Sequence, residues 1–329
     1  MFTFSSDDMK RFIKKVIAFV AVVVILISAA DCIILLRMQK NWGTMSSRRG
    51  DKATIKDVPD GINLCNFGSS HGLYGFNYIS VSDEYTCFNF ALPGQSLSYD
   101  FRILKNYADR LEKGAIIFIP VSHFSLFGVA EDEAVNFESI NRRYYRFLDP
   151  QNIKNYDWKT AVLAKYFPVL ITDSLVSLVK QMVDDNDENC WGNETDPETA
   201  ASHGVVRYDT FVESRKDSEG NRVFNDSEIS ALIDMIMYAK ENEWIPVLVT
   251  TPYLSEYNSA VKKRDPDFLN DFYAAVNYVI EKTEVKYFDY SEDVRFSNEY
   301  TFFFNTDHLN YKGAARFTEI LVEEVVPEL

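Results

Sequence analysis

The chain has little cysteine and little histidine, with four residues of each among 329. Cys32 lies in a long apolar run, and Cys65, Cys87 and Cys190 are too few and too irregularly spaced for a zinc site or a disulfide scaffold. Cys65 and Cys87 lie near the ends of two predicted strands. They are able to pair if those strands are neighbours, and the alternative is two buried free thiols.

Positive charge is scarce over most of the chain. The formal net charge is −15, yet residues 1–52 carry a net +5, so the remaining residues carry −20. An acidic body repels phosphate, and no basic patch with interleaved aromatic residues interrupts it, which excludes nucleic acid as a partner. A hydrophobic content of 47% and an aromatic content of 15% predict a folded domain with a substantial core.

One long apolar segment, Val16–Leu36, lies near the N-terminus, and its only polar residues are Ser28 and Asp31. At about 1.5 Å per residue its length matches the hydrocarbon core of a bilayer. It is longer than the apolar region of a signal peptide, and Asp31 directly before Cys32 does not suit a lipoprotein-type cleavage site. We therefore predict an uncleaved transmembrane anchor over residues 16–36.

The charges around this anchor give its expected orientation. Basic residues precede it, which favours a cytoplasmic tail over residues 1–15 and an extracytoplasmic main domain in the cell membrane, although basic residues also follow. Asp31 would be costly in mid-membrane, so we expect it near the outer interface or in contact with a membrane partner. Residues 37–58 are polar and basic and are predicted to be a linker.

From residue 59 to residue 329, short apolar runs alternate with amphipathic segments. This alternation predicts an α/β domain with a mostly parallel five-stranded sheet between helices, a flavodoxin-like three-layer α/β/α sandwich. The predicted strands are Ile62–Phe67, Thr86–Phe90, Ala115–Pro120, Ile245–Thr251 and Val285–Tyr290. The predicted helices are Asp100–Lys113, Ser227–Asn242, Asp265–Lys282 and Tyr311–Val326. Residues 125–226 break the alternation and are predicted to be a helical cap insertion with an exposed acidic loop over residues 184–199.

The stretch NFGSSHG, residues 66–72, follows the first predicted strand and places two serines between two glycines. A tight turn after a strand is a common place for a nucleophile in α/β enzymes. Ser70 would need a base, for which histidine is the usual residue because its pKa lies near neutrality. His308 precedes the last predicted helix. The loops at the carboxyl ends of parallel strands gather at one edge of the sheet, so Ser70 and His308 are able to meet there.

These segments resemble, in order and spacing, the SGNH/GDSL hydrolase superfamily, and more closely its membrane-anchored acyl-transfer members, such as the teichoic-acid D-alanylation and polysaccharide O-acetylation proteins. Gly68-Ser69-Ser70 matches the first block, Gly94 the glycine of the second, and Asn305–Asn310 with Gly313 the last. The resemblance covers residues 61–124 and 245–325. It implies Ser70 as nucleophile, His308 as base, and no metal or cofactor.

Two departures from the family pattern affect the predicted site. The triad aspartate is replaced by Asn305, which orients an imidazole but cannot stabilise its charge, unless Asp307 takes over that role. The third block, with its oxyanion-hole asparagine, is not evident, so either Ser122 or His123 substitutes or the oxyanion hole has fewer donors. The backbone N–H groups of Ser70 and Gly94 complete the predicted oxyanion hole. The residues predicted to line the substrate site are His71, His123, Thr251 and Tyr253.

The resemblance leaves two functional readings open. The first is a serine O-acyltransferase or esterase that acts on an acyl ester or on a cell-envelope glycan or similar polyol. The second is a non-catalytic accessory protein, in which the fold survives as a binding module for a membrane-bound acyltransferase or a glycan. A reactive Ser70 that depends on His308 separates the two readings.

Overall fold

The computed structural model describes residues 6–41, 45–46, 52–53, 58–81, 83–128, 141, 143–145, 147–167, 170, 194–213, 216–217 and 219–329. Most of the predicted linker, most of the predicted acidic loop and Cys190 lie outside the described residues.

The N-terminal segment is a helix, α1 (Ser6–Asn41), which is longer at both ends than the predicted anchor. Within it, Met9–Cys32 is long and apolar enough to cross a membrane. The apolar helix is confirmed, and its insertion and orientation stay predictions. Beyond it lies a short antiparallel pair, β1 (Met45–Ser46) and β2 (Lys52–Ala53).

The main domain is built on a sheet of five strands, which occur in the spatial order β4-β3-β5-β6-β7. All neighbouring strands are parallel, which confirms the predicted α/β class. The strands are β3 (Ile62–Asn66), β4 (Cys87–Asn89), β5 (Leu111–Pro120), β6 (Ile245–Thr250) and β7 (Lys286–Asp289).

The third strand begins earlier than its apolar run predicts. Leu111 pairs with Ile62 and Ile116 pairs with Leu64, so the register shifts between the two pairs and β5 bulges over residues 112–115. Gly114, whose φ is +79°, lies in this bulge and not at a helix end. The predicted helix Asp100–Lys113 is therefore wrong in its second half, because the chain has already turned into the sheet.

Helices cover both faces of the sheet. They are α2 (Ser70–Gly75), α3 (Leu97–Asn106), α4 (Trp158–Tyr166), α5 (Pro197–Phe211), α6 (Asp226–Glu241), α7 (Ser255–Arg264), α8 (Phe268–Thr283) and α9 (Tyr311–Val325). One core joins α3, α6 and α8 to the sheet face that carries Ile117 and Leu248, and a second joins α9 to the face that carries Phe118 and Val249. Alternate residues of each strand thus feed opposite cores, as expected for a sheet buried on both faces.

The strand order determines where a site can form. The chain runs from β3 outward to β4 and then returns to β5 on the other side of β3. The crevice at the carboxyl ends of β3 and β5 is the topological switch point, where ligands bind in open α/β sheets. Ser70 follows β3, Ser122 follows β5, and α4 and α5 lie in the insertion between β5 and α6.

Candidate active site

The NFGSSHG turn is shaped by its two glycines. Gly68 has φ +112°, a conformation that side chains with a Cβ rarely adopt. A Cβ at position 72 would lie 2.2 Å from the carbonyl oxygen of Phe67, so the first turn of α2 packs directly on the end of β3. The result is a sharp reversal that places Ser70 at the first residue of α2, half-buried at the sheet edge.

Ser70 and His308 meet at this edge, although they are 238 positions apart in the chain. The Oγ atom of Ser70 lies 2.8 Å from Nε2 of His308. This is the distance expected between a serine nucleophile and the base that removes its proton.

Asn305 contacts the other ring nitrogen of His308. Its Oδ1 atom lies 3.1 Å from Nδ1 of His308 and also accepts the backbone N–H groups of Asp307, at 3.1 Å, and of His308, at 2.9 Å. Both backbone groups are donors, so the atom they contact must be the amide oxygen and not the nitrogen. An oxygen at this position selects the tautomer with a proton on Nδ1, which leaves Nε2 free to accept the proton of Ser70.

Asp307 supplies the charge that Asn305 lacks. Its Oδ1 atom lies 3.2 Å from Nδ1 of His308, and its side chain is 1% exposed. Oδ1 makes no well-aligned hydrogen bond among the described residues, so the contact is electrostatic. Burial by itself raises the pKa of the Asp307 carboxyl, but the neighbouring His308 and His71 hold that pKa well below its ordinary value. Asn305 and Asp307 thus divide orientation and charge between them.

Arg207, which the sequence analysis did not single out, reaches Asp307 from α5. Its Nε and Nη2 atoms both donate to Oδ2 of Asp307, at 2.9 and 2.7 Å. A sequence signal for it exists, because Ala200, Gly204 and Arg207 follow the i, i+4, i+7 spacing of one helix face. A charged residue that follows small residues on one helix face is a candidate for contact with another element.

His71 stacks on the ring of His308. Its ring lies 4.5 Å from the ring of His308 at an interplanar angle of 17°, and its Nε2 is 3.4 Å from Oδ2 of Asp307. Burial, followed by the nearby His308, lowers the pKa of His71 to about 4. His71 is therefore neutral near pH 7 and does not repel a protonated His308.

Two half-buried aromatic rings flank His308 on its other sides. Phe304 stacks on it with a centroid distance of 5.3 Å, and Tyr74 meets it edge-on at 5.6 Å. Together they form an apolar wall beside the reactive groups.

The predicted oxyanion donors occupy different environments. Gly94 is exposed, with φ +63°, and within the described part of the chain neither its N–H nor that of Ser70 donates to another group. The N–H of Ser122 already donates to Oγ of Ser125 at 3.0 Å, so Ser122 has only its buried hydroxyl to offer, which contacts no polar partner among the described residues. The two backbone N–H groups are thus the better candidates.

Three predicted lining residues lie behind the site and do not form its surface. His123 is 1% exposed and sits among aromatic rings, with centroids 4.9 Å from both Tyr253 and Phe272. Tyr253 is equally buried, lies between His123 and His71, and meets the latter edge-on at 5.6 Å. Thr251 packs against α2 at Gly75. Substrate contact by these three residues does not fit their burial, which follows from the aromatic packing beneath the switch point.

A buried carboxyl group supports the nucleophile turn. Asp100, on α3, accepts the N–H of Gly68 at 2.8 Å and a hydrogen bond from the side chain of Gln95. Burial raises the pKa of Asp100 to about 7, although both hydrogen bonds act in the opposite direction. Asp100 lies at the start of the helix predicted from the sequence, where nothing in the local pattern indicates this contact.

His71, Asp307 and His308 lie close enough together to be considered as a metal site, with ligand atoms within 4.8 Å of one another. Two polar atoms of this cluster are already engaged, because Ser70 contacts Nε2 of His308 and the guanidinium of Arg207 contacts Oδ2 of Asp307. A cation at this carboxylate would also be repelled by the arginine. The cluster fits proton transfer better than it fits metal binding.

Cys65 and Cys87 are on neighbouring strands, as the sequence analysis required for pairing, but they are buried free thiols. In the register, Cys65 lies opposite Phe88 while Cys87 lies opposite Leu64, so the two side chains project to opposite faces of the sheet. The alternative of free thiols is therefore correct, and burial raises the pKa of Cys65 above its ordinary value.

No family model and no curated protein matches the chain. Among solved structures it is similar to a protein described as an acylhydrolase from Bacteroides fragilis, at 11% identity, with 83% of this chain and 92% of that chain covered and a TM-score of 0.34. It is also similar to two variants of an acetylxylan or acetyl-xylooligosaccharide esterase from Geobacillus stearothermophilus, at 11% and 10% identity and TM-scores of 0.37 and 0.36. Both comparisons cover 81% of this chain and 94% of the other. The reaction proposed for this chain is therefore inferred from its own side chains and not from these similarities.

Proposed function

We propose that this protein is a membrane-tethered, extracytoplasmic serine O-acyltransferase or esterase that acts on a cell-envelope glycan or a similar polyol. The observation that carries the proposal is the 2.8 Å contact between Oγ of Ser70 and Nε2 of His308, with Oδ1 of Asn305 on the opposite ring nitrogen. A nucleophile, a base and an orienting group in this order are the parts that acyl transfer requires.

The proposed reaction uses the groups as follows. Ser70 attacks the carbonyl carbon of an acyl ester while its hydroxyl proton moves to Nε2 of His308. The tetrahedral oxyanion accepts hydrogen bonds from the N–H groups of Ser70 and Gly94. His308 then gives the proton to the departing alkoxide, which leaves the acyl group on Ser70.

In the second half of the reaction, His308 removes a proton from an acceptor hydroxyl, either of a sugar or of water. That oxygen attacks the acyl-enzyme, and the proton returns to Ser70. Asp307 lies beside Nδ1 of His308 and stabilises the positive charge that the ring carries in both halves. The wall formed by Tyr74 and Phe304 suits the apolar face of a sugar or the acyl chain.

The membrane part of the proposal rests on α1. Its apolar stretch is long enough to cross a bilayer and directly precedes the linker to the catalytic domain. A domain held at a membrane surface is well placed to receive acyl groups from a membrane-bound acyltransferase, which is the partner we propose.

The test is covalent labelling of the full chain in detergent with a fluorophosphonate probe, followed by mapping of the adduct by mass spectrometry. We expect an adduct on Ser70 that is lost in Ser70→Ala and strongly reduced in His308→Ala. Ser69→Ala is the matched control, because Ser69 is the neighbouring serine in the same turn and makes no contact with His308 among the described residues. A folded protein without an adduct on Ser70 would contradict catalysis and favour the accessory role.

A further inference from the structure

The insertion helix α5 reaches the proposed catalytic centre through the side chain of Arg207. Arg207 donates two hydrogen bonds to the same oxygen, Oδ2 of Asp307, and is 20% exposed where Asp307 is 1% exposed. Its guanidinium also lies 4.0 Å from the ring centroid of Phe211, one turn further along α5. The ring of Phe211 and the carboxylate of Asp307 together hold the guanidinium of Arg207 in this orientation.

The helix is held in place by packing that the sequence specifies. A Cβ at position 204 would lie 2.9 Å from the carbonyl oxygen of Glu256 and 3.3 Å from the backbone nitrogen of Tyr257, so α5 and α7 touch backbone to backbone at Gly204. Arg207 follows three residues later and hence projects from the same side of α5.

Contacts at both ends of α5 add to this packing. Asp196 caps its first turn through the N–H groups of Glu198 and Thr199. Near its last turn, Asp209 forms an ion pair with Arg264 of α7 at 2.7 Å, but both side chains are half-exposed, so this pair contributes little to the attachment of α5. The position of Arg207 therefore follows from the attachment of the whole helix and not from the Asp307 contact alone.

The contact with Arg207 fixes which carboxylate oxygen of Asp307 faces the imidazole of His308. Both of its donors occupy Oδ2, which leaves Oδ1 beside Nδ1 of His308 at 3.2 Å. Without the guanidinium, the buried carboxylate would lose two hydrogen bonds and the one arginine that contacts it among the described residues, and would be left with the imidazoles of His71 and His308. Removal of one member of a buried ion pair leaves the other uncompensated, and the side chain then rotates or takes up a proton.

We propose that Arg207 is a positioning residue for the proposed acyl transfer, which acts by fixing the carboxylate of Asp307 against His308, so that helix α5 of the insertion is a working part of the catalytic centre. The inference rests on the proposed function. It gives the insertion a role beyond covering the sheet edge, because any displacement of α5 would be transmitted to the base.

The test is a double-mutant cycle on Arg207 and Asp307, read as the rate of fluorophosphonate labelling of Ser70 in the full chain. We expect Arg207→Ala to lower this rate about 10- to 1,000-fold and Asp307→Asn to lower it by a similar factor. The double variant should be no slower than Asp307→Asn alone, because Arg207 acts only through that carboxylate. Arg207→Lys, which keeps the charge but loses the planar pair of donors, should recover part of the rate.

Arg264→Ala is the matched control, since it removes an arginine–aspartate pair from the same two helices at a half-exposed position. It should label at the wild-type rate. Hydrolysis of a neutral ester supplies a second readout, in which Arg207→Ala should lower kcat and leave KM within about threefold. A rise in KM without loss of kcat would show that Arg207 binds substrate and would overturn the inference, as would wild-type labelling or strictly additive effects.

A proton NMR measurement tests this inference independently of the proposed function. The Nδ1–H proton of His308, assigned by its loss in His308→Ala, is expected in the downfield proton spectrum of the full chain and should shift or vanish in Arg207→Ala but not in Arg264→Ala. If the wild type fails to label, the proposed function fails, and this spectrum still decides the positioning role. An unmoved resonance in Arg207→Ala would overturn that role.

Discussion

The Oδ1 atom of Asn305 lies 3.1 Å from Nδ1 of His308 and 2.9 Å from the backbone nitrogen of the same residue. One amide oxygen therefore holds both the ring and the backbone of the proposed base. An asparagine in place of a triad aspartate is harmful when its amide nitrogen faces the histidine, because the wrong tautomer results. Here the two backbone donors keep the oxygen toward the ring, and Asp307 stands beside it as the charged group.

The first prediction concerns Asn305. Asn305→Leu removes the acceptor at nearly constant volume and is expected to lower the labelling rate of Ser70 about 10- to 100-fold, because the ring of His308 loses its orientation. Asn305→Asp should stay within about tenfold of the wild type, because a carboxylate oxygen accepts the same hydrogen bonds, although it brings a second negative charge close to Asp307. Wild-type labelling by Asn305→Leu would assign the orienting role to Asp307 alone.

The second prediction concerns acid stability. Burial lowers the pKa of His123 from its ordinary value of 6.5 to about 4. Between these two pH values the imidazole is protonated in the unfolded chain but stays neutral in the folded chain. The contribution of His123 to stability is therefore fully present above about pH 6.5 and is lost as the pH falls toward 4. At 1.36 kcal/mol per pKa unit the loss is about 3 kcal/mol.

His123→Phe should remove this share of the acid sensitivity, since a phenyl ring suits the surrounding aromatic residues and does not titrate. The free energy of unfolding, measured by urea denaturation of the full chain at several pH values, should fall less steeply below about pH 6.5 than in the wild type. His203→Asn, at an exposed position, is the control and should keep the wild-type slope. Equal slopes in all three proteins would contradict the buried, neutral state of His123.

The third prediction concerns the turn that carries Ser70. In Gly72→Ala the new Cβ would lie 2.2 Å from the oxygen of Phe67 and 2.8 Å from Cβ of Ala91, so backbone must move. We expect a loss of about 2–4 kcal/mol in the free energy of unfolding, together with slower labelling of Ser70.

Gly114→Ala is the control for this change. Gly114 also has a conformation that favours glycine, with φ +79°, but among the described residues other than its two chain neighbours no heavy atom lies within 4 Å of the added Cβ. Only backbone strain of about 1–2 kcal/mol is expected there, and Ser70 should react normally. Equal losses in the two variants would show that close packing at Gly72 is not what shapes the turn.

The fourth prediction concerns the two sheet cysteines. In a full chain that carries Cys32→Ser and Cys190→Ser, a thiol reagent should modify neither Cys65 nor Cys87 under native conditions, because their side chains are buried. Both should react after denaturation without a reducing agent. Two thiols that appear only after reduction would mean that a disulfide forms across the strands.

The sequence alone predicted the parts of this protein that depend on local pattern. Continuous apolar runs predicted all five strands of the sheet, because a parallel strand is buried on both faces and tolerates few polar residues. Amphipathic spacing predicted helices over Asp265–Lys282 and Tyr311–Val326, and the observed helices are Phe268–Thr283 and Tyr311–Val325. The helix predicted over Asp100–Lys113 was wrong in its second half, because a glycine with positive φ such as Gly114, which follows it, occurs in a strand bulge as well as at a helix end.

The candidate site also contains residues that the sequence predicted and one residue, Arg207, that it did not. Ser70 and His308 were found from the sequence because each lies in a short distinctive segment at a strand end, and Asn305 and Asp307 were found because they neighbour His308 in the chain. Which of the latter two orients the ring depended on loop geometry, since both lie within reach of Nδ1. The spacing of Arg207 on its helix face gives no partner for it, and its contact with Asp307, 100 positions away along the chain, depended on the packing of α5 against α7.

What the sequence by itself determined is therefore the α/β class, the apolar N-terminal helix and the pairing of a turn serine with a distant histidine, because periodicity and residue type act over a few neighbouring positions. What only the tertiary structure decided is the partner of each polar atom. Burial of His123 and Tyr253, the division of roles between Asn305 and Asp307, and the contact of Arg207 all arise where elements remote in the chain meet. Hydrogen bonds and desolvation depend on distances between such elements, and no local pattern encodes them.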